Sequence, residues 1–193
     1  MARPREFDVD TALDRALRVF WRKGYEGASL ADLTKAMNIN RPSLYAAFGN
    51  KATLFRKALD RYEEGPAAYV RAALLQPTAR GVVERLWAGA VGQLTDPRLP
   101  RGCLIVQGAL ACGEAAESIQ RELATRRASL VSALRERFER AVAEGDLPPG
   151  SNPGDLARYA AAVTHGMAVQ AAGRASREEL ERVAELALRV WPG

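Results

Sequence analysis

The sequence predicts an all-α protein, and three observations predict it. Apolar residues recur at i, i+3/4 and i+7/8 through nearly the whole chain. Capping residues, prolines and glycines fall at the ends of those runs. No segment alternates apolar and polar residues with the period of two that a half-buried strand needs, and neither internal repeats nor low-complexity tracts interrupt the pattern.

Val9, Leu13, Ala16, Leu17, Phe20 and Trp21 mark one face of a first helix. Asp8 or Asp10 can cap its start, Arg22 and Lys23 suit its negative end, and Gly24 is expected to stop it. Ser29 caps a short helix through Met37, and Asn38 then interrupts at a position calling for positive φ, which Asn tolerates. A second short helix runs from Arg41 to Phe48 with Pro42 in its first turn, where a missing N–H costs nothing. After Gly49 and Asn50, a helix from Lys51 carries Leu54, Phe55, Ala58, Leu59 and Tyr62 inward. Beyond Glu64, Gly65 and Pro66, breakers at Pro77, in residues 96–102, at Gly113, at 148–150 and at Gly173 divide the remainder into about six helical blocks. The longest covers residues 118–144. The block over 155–172 is crowded with Ala and Gly, a composition for close packing on more than one side. The last opens with a capping box, Ser176 to Glu179, and shows Leu180, Val183, Ala184, Ala187, Val190 and Trp191 along one side.

The 193 residues carry 28 Lys+Arg against 23 Asp+Glu, and the excess is not spread evenly. Residues 1–62 hold twelve basic and seven acidic side chains, +5, including all four lysines; residues 63–193 hold sixteen of each. A footprint confined to one segment points to a polyanion partner there, or to a solvated basic face. The first residues have mixed charge without an apolar stretch behind them, and no window reaches the ~18 apolar residues of a membrane span, so a cytoplasmic protein that needs no membrane is expected. Two cysteines, Cys103 and Cys112, are too few for a disulfide framework. Nine residues apart on one helix they lie ~13 Å apart, out of disulfide reach unless the helix breaks at Gly108.

Residues 29–48 have the size and grammar of a helix-turn-helix: short capped helix, tight turn, short helix. In such a unit the second helix enters the major groove, so it must be polar at its start and apolar behind. Leu44 and Phe48 supply that back, while Arg41, Ser43 and Tyr45 lie toward other faces. Two core helices with solvated polar residues would share the pattern; the basic excess over the same segment favours DNA.

The run Phe20-xxx-Gly24-Tyr25, Ser29-Leu30-Ala31-Asp32-Leu33, and Ile39 through Lys51-xx-Leu54-Phe55 resembles the DNA-binding domain of the TetR family of bacterial transcriptional regulators. The similarity covers about residues 8 to 60, and the Ser-Leu-Tyr-xx-Phe-xx-Lys-xx-Leu-Phe frame is highly specific; Asn38 departs from it by replacing the usual Gly. The resemblance implies an N-terminal three-helix bundle with the helix-turn-helix in residues 1–62, and a helical ligand-binding and dimerisation domain in residues 63–193. It puts Ser29, Tyr45 and Lys51 on phosphate, Arg41, Pro42 and Ser43 nearest the bases, and Asn40 on either. Arg41 alone among them can contact guanine O6 and N7 with two hydrogen bonds.

The same resemblance implies a homodimeric repressor on a palindromic operator, paired through the last two helices and released by a small-molecule inducer. Ala161, His165, Leu180, Val183, Ala187 and Trp191 are the dimer-contact candidates, and plain burial within one chain would explain them equally. Trp87, Cys103, Gln107, His165, Met167 and Gln170 are candidates to line the inducer cavity, though each also fits an ordinary core or surface role. Some relatives with Gly-Cys-Leu at this helix are thiol-based sensors. Here Arg101 and a helix start would lower the Cys103 pKa, and the competing reading is a small apolar core residue. One His and two thiols make no metal set, no cofactor is implied, and no phosphate loop or nucleophile motif supports an enzyme. A ligand-insensitive repressor and an architectural DNA binder are the remaining alternatives, the latter disfavoured by the neutral two-thirds.

Overall fold

The computed structural model describes residues 7–110 and 116–193, and every regular element among them is a helix. The order is α1 (Val9–Gly27), α2 (Leu30–Met37), α3 (Arg41–Phe48), α4 (Lys51–Glu64), α5 (Tyr69–Leu74), α6 (Ala79–Leu94), α7 (Leu104–Leu110), α8 (Glu117–Ala143), α9 (Pro153–Ala172) and α10 (Arg177–Arg189). Among the described residues no helix is long and apolar enough to cross a membrane.

Local chemistry sets most of these boundaries. Asp8, rather than Asp10, caps α1 by accepting the Thr11 amide at 2.7 Å. Gly24 does not end α1: it adopts φ 69°, ψ −179°, kinks the helix, and helical structure resumes to Gly27. Asn38 takes the left-handed conformation expected of it, φ 56° and ψ 46°, and turns the chain between α2 and α3. The Ser176 and Glu179 capping box forms, with both reciprocal hydrogen bonds present.

Two apolar cores result. The first gathers α1–α4 around Phe20, Trp21, Leu44, Phe48 and Phe55, all buried. Phe55 meets Phe20 edge-on at 4.9 Å and Tyr25 at 5.2 Å, and Trp21 meets Tyr62 at 4.7 Å and 89°. Leu104, Ile119 and Leu123, from α7 and α8, plug the same core, so the head is not closed by its own residues. The second core packs α6 and α8–α10 through the small residues of α9, with Trp87, Phe138, Tyr159 and Trp191 as a ring cluster. Helix α4 crosses the expected boundary at residue 62 and continues to Glu64.

Several contacts fasten the head to the rest. The Trp21 indole N–H donates to the Gly102 carbonyl at 3.0 Å, and Arg18 donates to the Arg98 carbonyl at 2.9 Å. Arg126 of α8 reaches Asp60 at 2.6 Å and Glu63 at 2.5 Å on α4, and Glu122 at 2.9 Å on its own helix. Only 14% of the Arg126 side chain is exposed, so these pairs are shielded more than ordinary surface bridges.

Candidate nucleic-acid interface and ligand cavity

Helix α3 is held from behind. Leu44 and Phe48 are buried in the first core, each worth ~1.5–3 kcal/mol on area grounds. Its start is fixed by Asn40, whose side-chain oxygen accepts the Ser43 amide at 2.8 Å, and Pro42 occupies the first turn without a lost hydrogen bond. What remains outward is Arg41, Pro42 and Ala46, with Tyr45 47% exposed and Ser43 half-buried. The exposed face of α3 therefore carries one guanidinium and one phenol on a narrow backbone.

Flanking positions are equally ordered. The Ser29 hydroxyl accepts the Asp32 amide at 3.0 Å and donates to the Asp32 carboxylate at 2.7 Å, and that carboxylate also accepts the Ser29 amide. Hydrogen bonding with Lys23 first, at 2.7 Å, and then with Ser29 pulls the Asp32 carboxyl down to about 2. Lys51 sits at the start of α4 with its ammonium 4.6 Å above the Tyr25 ring; burial pulls its pKa down, opposed by Glu26. Asn40 and Ser29 thus spend side-chain atoms on capping and Lys51 lies over Tyr25, while Arg41 and Tyr45 project outward from α3.

A cavity of about 310 Å³ lies between α4, α5, α7, α8 and α9. Val70, Leu74, Val106 and Leu130 form its apolar walls; Tyr62, Glu63, Cys103, Arg126, Arg127, Thr164 and His165 supply its polar lining. Of the six residues expected to line a ligand site, the structure brings together Cys103 and His165 only. Trp87 is fully buried, donates its indole N–H to the Ala160 carbonyl and packs in the ring cluster. Met167 is fully buried in the second core, Gln107 lies over Gly102, and Gln170 is on an outer groove between α9 and α10. Sequence reasoning misses Tyr62, Arg126 and Arg127, because a helical stripe and a charged helix face carry no mark of a cavity.

The chemistry at Cys103 also corrects the expectation. Burial pushes its thiol up, overriding the lowering from Tyr62 and nearby amides, while Arg101 is exposed. Cys112 lies outside the described residues. His165 is pulled down, by burial first and by the charge of Arg127 second, so its imidazole is neutral at pH 7.

The dimer-contact candidates divide as well. Ala161, Leu180, Ala187 and Trp191 are at most 5% exposed within their own chain, and His165 faces the cavity. Of the apolar residues expected along one side of the last helix, Leu180, Ala184, Ala187 and Trp191 point into their own core, whereas Val190 is exposed and Val183 half-buried. Beside that buried side runs a second stripe, with Leu186 63% and Val190 65% exposed, Val183 half-buried at its edge, and Val169 of α9 48% exposed. Ala162 is exposed and Gly166 has open space beyond its Cα, so α9 adds a small-residue strip to that face.

This architecture is matched in known proteins. Residues 12–58 fit the family model for bacterial regulatory proteins of the tetR family, and residues 79–187 fit the tetracyclin repressor-like C-terminal domain. The chain belongs to the tetR family of bacterial regulatory proteins. It is 34% identical over 192 residues to the HTH-type transcriptional repressor ComR of Escherichia coli K12, covering 98% of this chain and 91% of ComR. It is 38% identical over 111 residues to the HTH-type regulator YezE of Bacillus subtilis 168, covering 57% of each. Among solved structures, a cysteine mutant of the TetR family regulator CifR, complexed with 26 bp operator DNA, superposes with a TM-score of 0.94 at 47% identity, over 98% of this chain and all of CifR. Membership makes the chain a DNA-binding transcriptional regulator rather than an enzyme.

Proposed function

We propose that this tetR-family regulator is a homodimeric repressor that reads a palindromic operator through α3 and leaves it when a small molecule fills the α4–α9 cavity, acting in the cytoplasm where that DNA lies. The observation that carries the reading is the path of α4. Its first residue, Lys51, flanks the recognition helix, and its end supplies Tyr62 and Glu63 to the cavity wall, ~18 Å away along one rigid rod. A ligand that displaces the end of this rod changes the pose of α3. Repression itself is supported by ComR, a named repressor, and operator binding by the CifR complex.

In this reading Arg41 reads a base, Pro42 and Ser43 approach the groove wall, and Tyr45 and Lys51 hold phosphates, with the free amide of Asn40 available to either; Ser29 joins them only by turning its hydroxyl proton from the Asp32 carboxylate to a phosphate. Arg41→Ala is expected to weaken binding to a site selected from random DNA by ~1–3 kcal/mol and to relax one base position. Lys51→Ala is expected to weaken all sequences alike and to reduce the salt slope by about one. Fluorescence titrations at two salt concentrations check both. Equal losses on selected and random DNA for Arg41→Ala would remove its role as a reader.

A second copy of the chain is the occupant we assign to the face formed by Val169, Leu186 and Val190. Its apolar character and its place on the last two helices support this. Cys103 opens a covalent route for inducers: an electrophile admitted to the cavity meets its thiol, which rests protonated and therefore reacts slowly. Mass spectrometry of the folded protein after N-ethylmaleimide treatment is expected to find the adduct on Cys103. A folded protein unmodified there after hours would leave only non-covalent induction.

A further inference from the structure

We propose that the Tyr62 hydroxyl is the recognition donor of the cavity. Its ligand is an uncharged, largely apolar small molecule with one hydrogen-bond-accepting oxygen, of the ketone or ester class, seated beside Cys103. The inference rests on the reading of the cavity as the inducer site and adds the chemical class that the site selects.

The phenol is the starting point. Tyr62 is 1% exposed, and its hydroxyl is buried with no hydrogen-bond partner among the described residues, although nearly all buried hydroxyls have one. The ring cannot swing the group elsewhere, because Trp21 abuts it edge-on at 4.7 Å and is itself fixed by its bond to the Gly102 carbonyl. Beside the phenol lie the Cys103 thiol and the Leu104 amide. Sulfur accepts weakly and an amide N–H only donates, so the surroundings lack a good acceptor for the phenol proton. Tyr62 borders the cavity, and a ligand oxygen that displaces the side chains now covering the hydroxyl supplies one.

The charge around the cavity argues for a neutral ligand. Arg126 is already engaged by Asp60, Glu63 and Glu122, and Arg127 donates to the Ile105 carbonyl at 3.3 Å. His165 is uncharged at pH 7. An anion would enter a space walled by Val70, Leu74 and Leu130 and give up its hydration to Arg126 and Arg127, which have other partners, while Arg71, the third guanidinium of the lining, is exposed and keeps its own hydration. The volume, about 310 Å³, lies at the lower end of the ~300–1,000 Å³ usual for small-molecule sites, so the ligand is compact.

Three probes test this on the full chain by calorimetry: acetophenone; α-methylstyrene, in which a methylene replaces the ketone oxygen; and benzoate. The wild-type protein is expected to bind acetophenone about 3- to 10-fold more tightly than α-methylstyrene, the range of one buried hydrogen bond. Tyr62→Phe is expected to erase that preference by weakening acetophenone while leaving α-methylstyrene unchanged. Without ligand, Tyr62→Phe is expected to melt at or near the wild-type temperature, since the hydroxyl it removes has only the weakly accepting Cys103 sulfur beside it; a structural role would lower it. A preference that survives Tyr62→Phe, equal wild-type affinities for ketone and hydrocarbon, or tighter binding of benzoate would overturn the assignment and leave the cavity as a ligand site. Binding of none of the three would overturn the reading of the cavity itself.

Discussion

The DNA-reading head and the regulatory half share ring clusters but differ in what fills the rest of their interiors. The head interlocks large rings, Phe20, Trp21, Tyr25, Phe55 and Tyr62, in edge-on contacts near 5 Å, and plugs the remaining gap with Leu104, Ile119 and Leu123 borrowed from α7 and α8. The regulatory half gathers its rings into one cluster, Trp87, Phe138, Tyr159 and Trp191, and packs α9 with methyl groups: Ala157, Ala160, Ala161, Ala168 and Ala171 are all buried and let backbones approach. Interlocked rings resist repacking, which suits a block whose task is to present α3 in one pose. Helices separated by alanines leave a cavity on one side and an open strip on the other. In the function proposed above, the head therefore works through its surface, and the regulatory half through the spaces between and outside its helices.

The strongest attempt to break that division targets the open strip. Leu186→Glu combined with Val190→Glu puts two charges on the face assigned to a second copy and touches neither core, since both side chains are exposed. Sedimentation is expected to find a monomer with unchanged helicity. Affinity for a palindromic site should fall by about 10²–10⁴-fold as two-headed binding is lost, while the weak affinity for a half-site remains. A dimer that survives both substitutions would move the pairing surface elsewhere. The contrast with Arg41→Ala is instructive, because that change costs less in affinity and acts on sequence preference instead.

The difference between the halves also explains what can be foreseen from the sequence. The caps at Asp8, Ser29 and Ser176, the left-handed turn at Asn38 and the apolar back of α3 are local: each follows from one residue and its neighbours within four positions. So is the frame from Ser43 to Phe55 by which the head resembles its family. At Gly24 the sequence predicts an end where the structure has a kink, because a glycine permits either and the choice falls to the packing of Tyr25 on Phe55. The cavity and the dimer face are not local. Leu180 and Leu186 are both apolar residues of one helix, and only the position of α9 and α6 decides which is inside. Trp87 and Tyr62 are both buried aromatics, yet one packs in a ring cluster and the other borders empty space, a difference set by five helices at once.

A smaller effect separates the two regions by pH. In the head, hydrogen bonds from Lys23 and Ser29 hold the Asp32 carboxyl at about 2, below its ordinary 3.8. The stability this gives is present above pH 3.8 and is lost as the pH falls toward 2. In the regulatory half, burial and Arg127 depress His165 below 6.5, so the folded protein resists protonating it. That contribution is complete above pH 6.5 and is lost as the pH falls through the depressed value. Glu63 runs the other way: burial raises it above 4.5, so its share declines as the pH climbs past that value. Differences between variants isolate each group. His165→Gln is expected to flatten the melting temperature between pH 7 and pH 5 by on the order of 1 °C, a small shift because the imidazole is partly hydrated. Asp32→Asn is expected to lower melting at pH 7 and to converge with the wild type near pH 2. The two variants should thus act in separate windows, the cavity first on acidification and the reading head last. If His165→Gln left the pH 5–7 profile unaltered while Asp32→Asn reshaped it there, acid sensitivity in that range would belong to the head, and the cavity would contribute nothing to it.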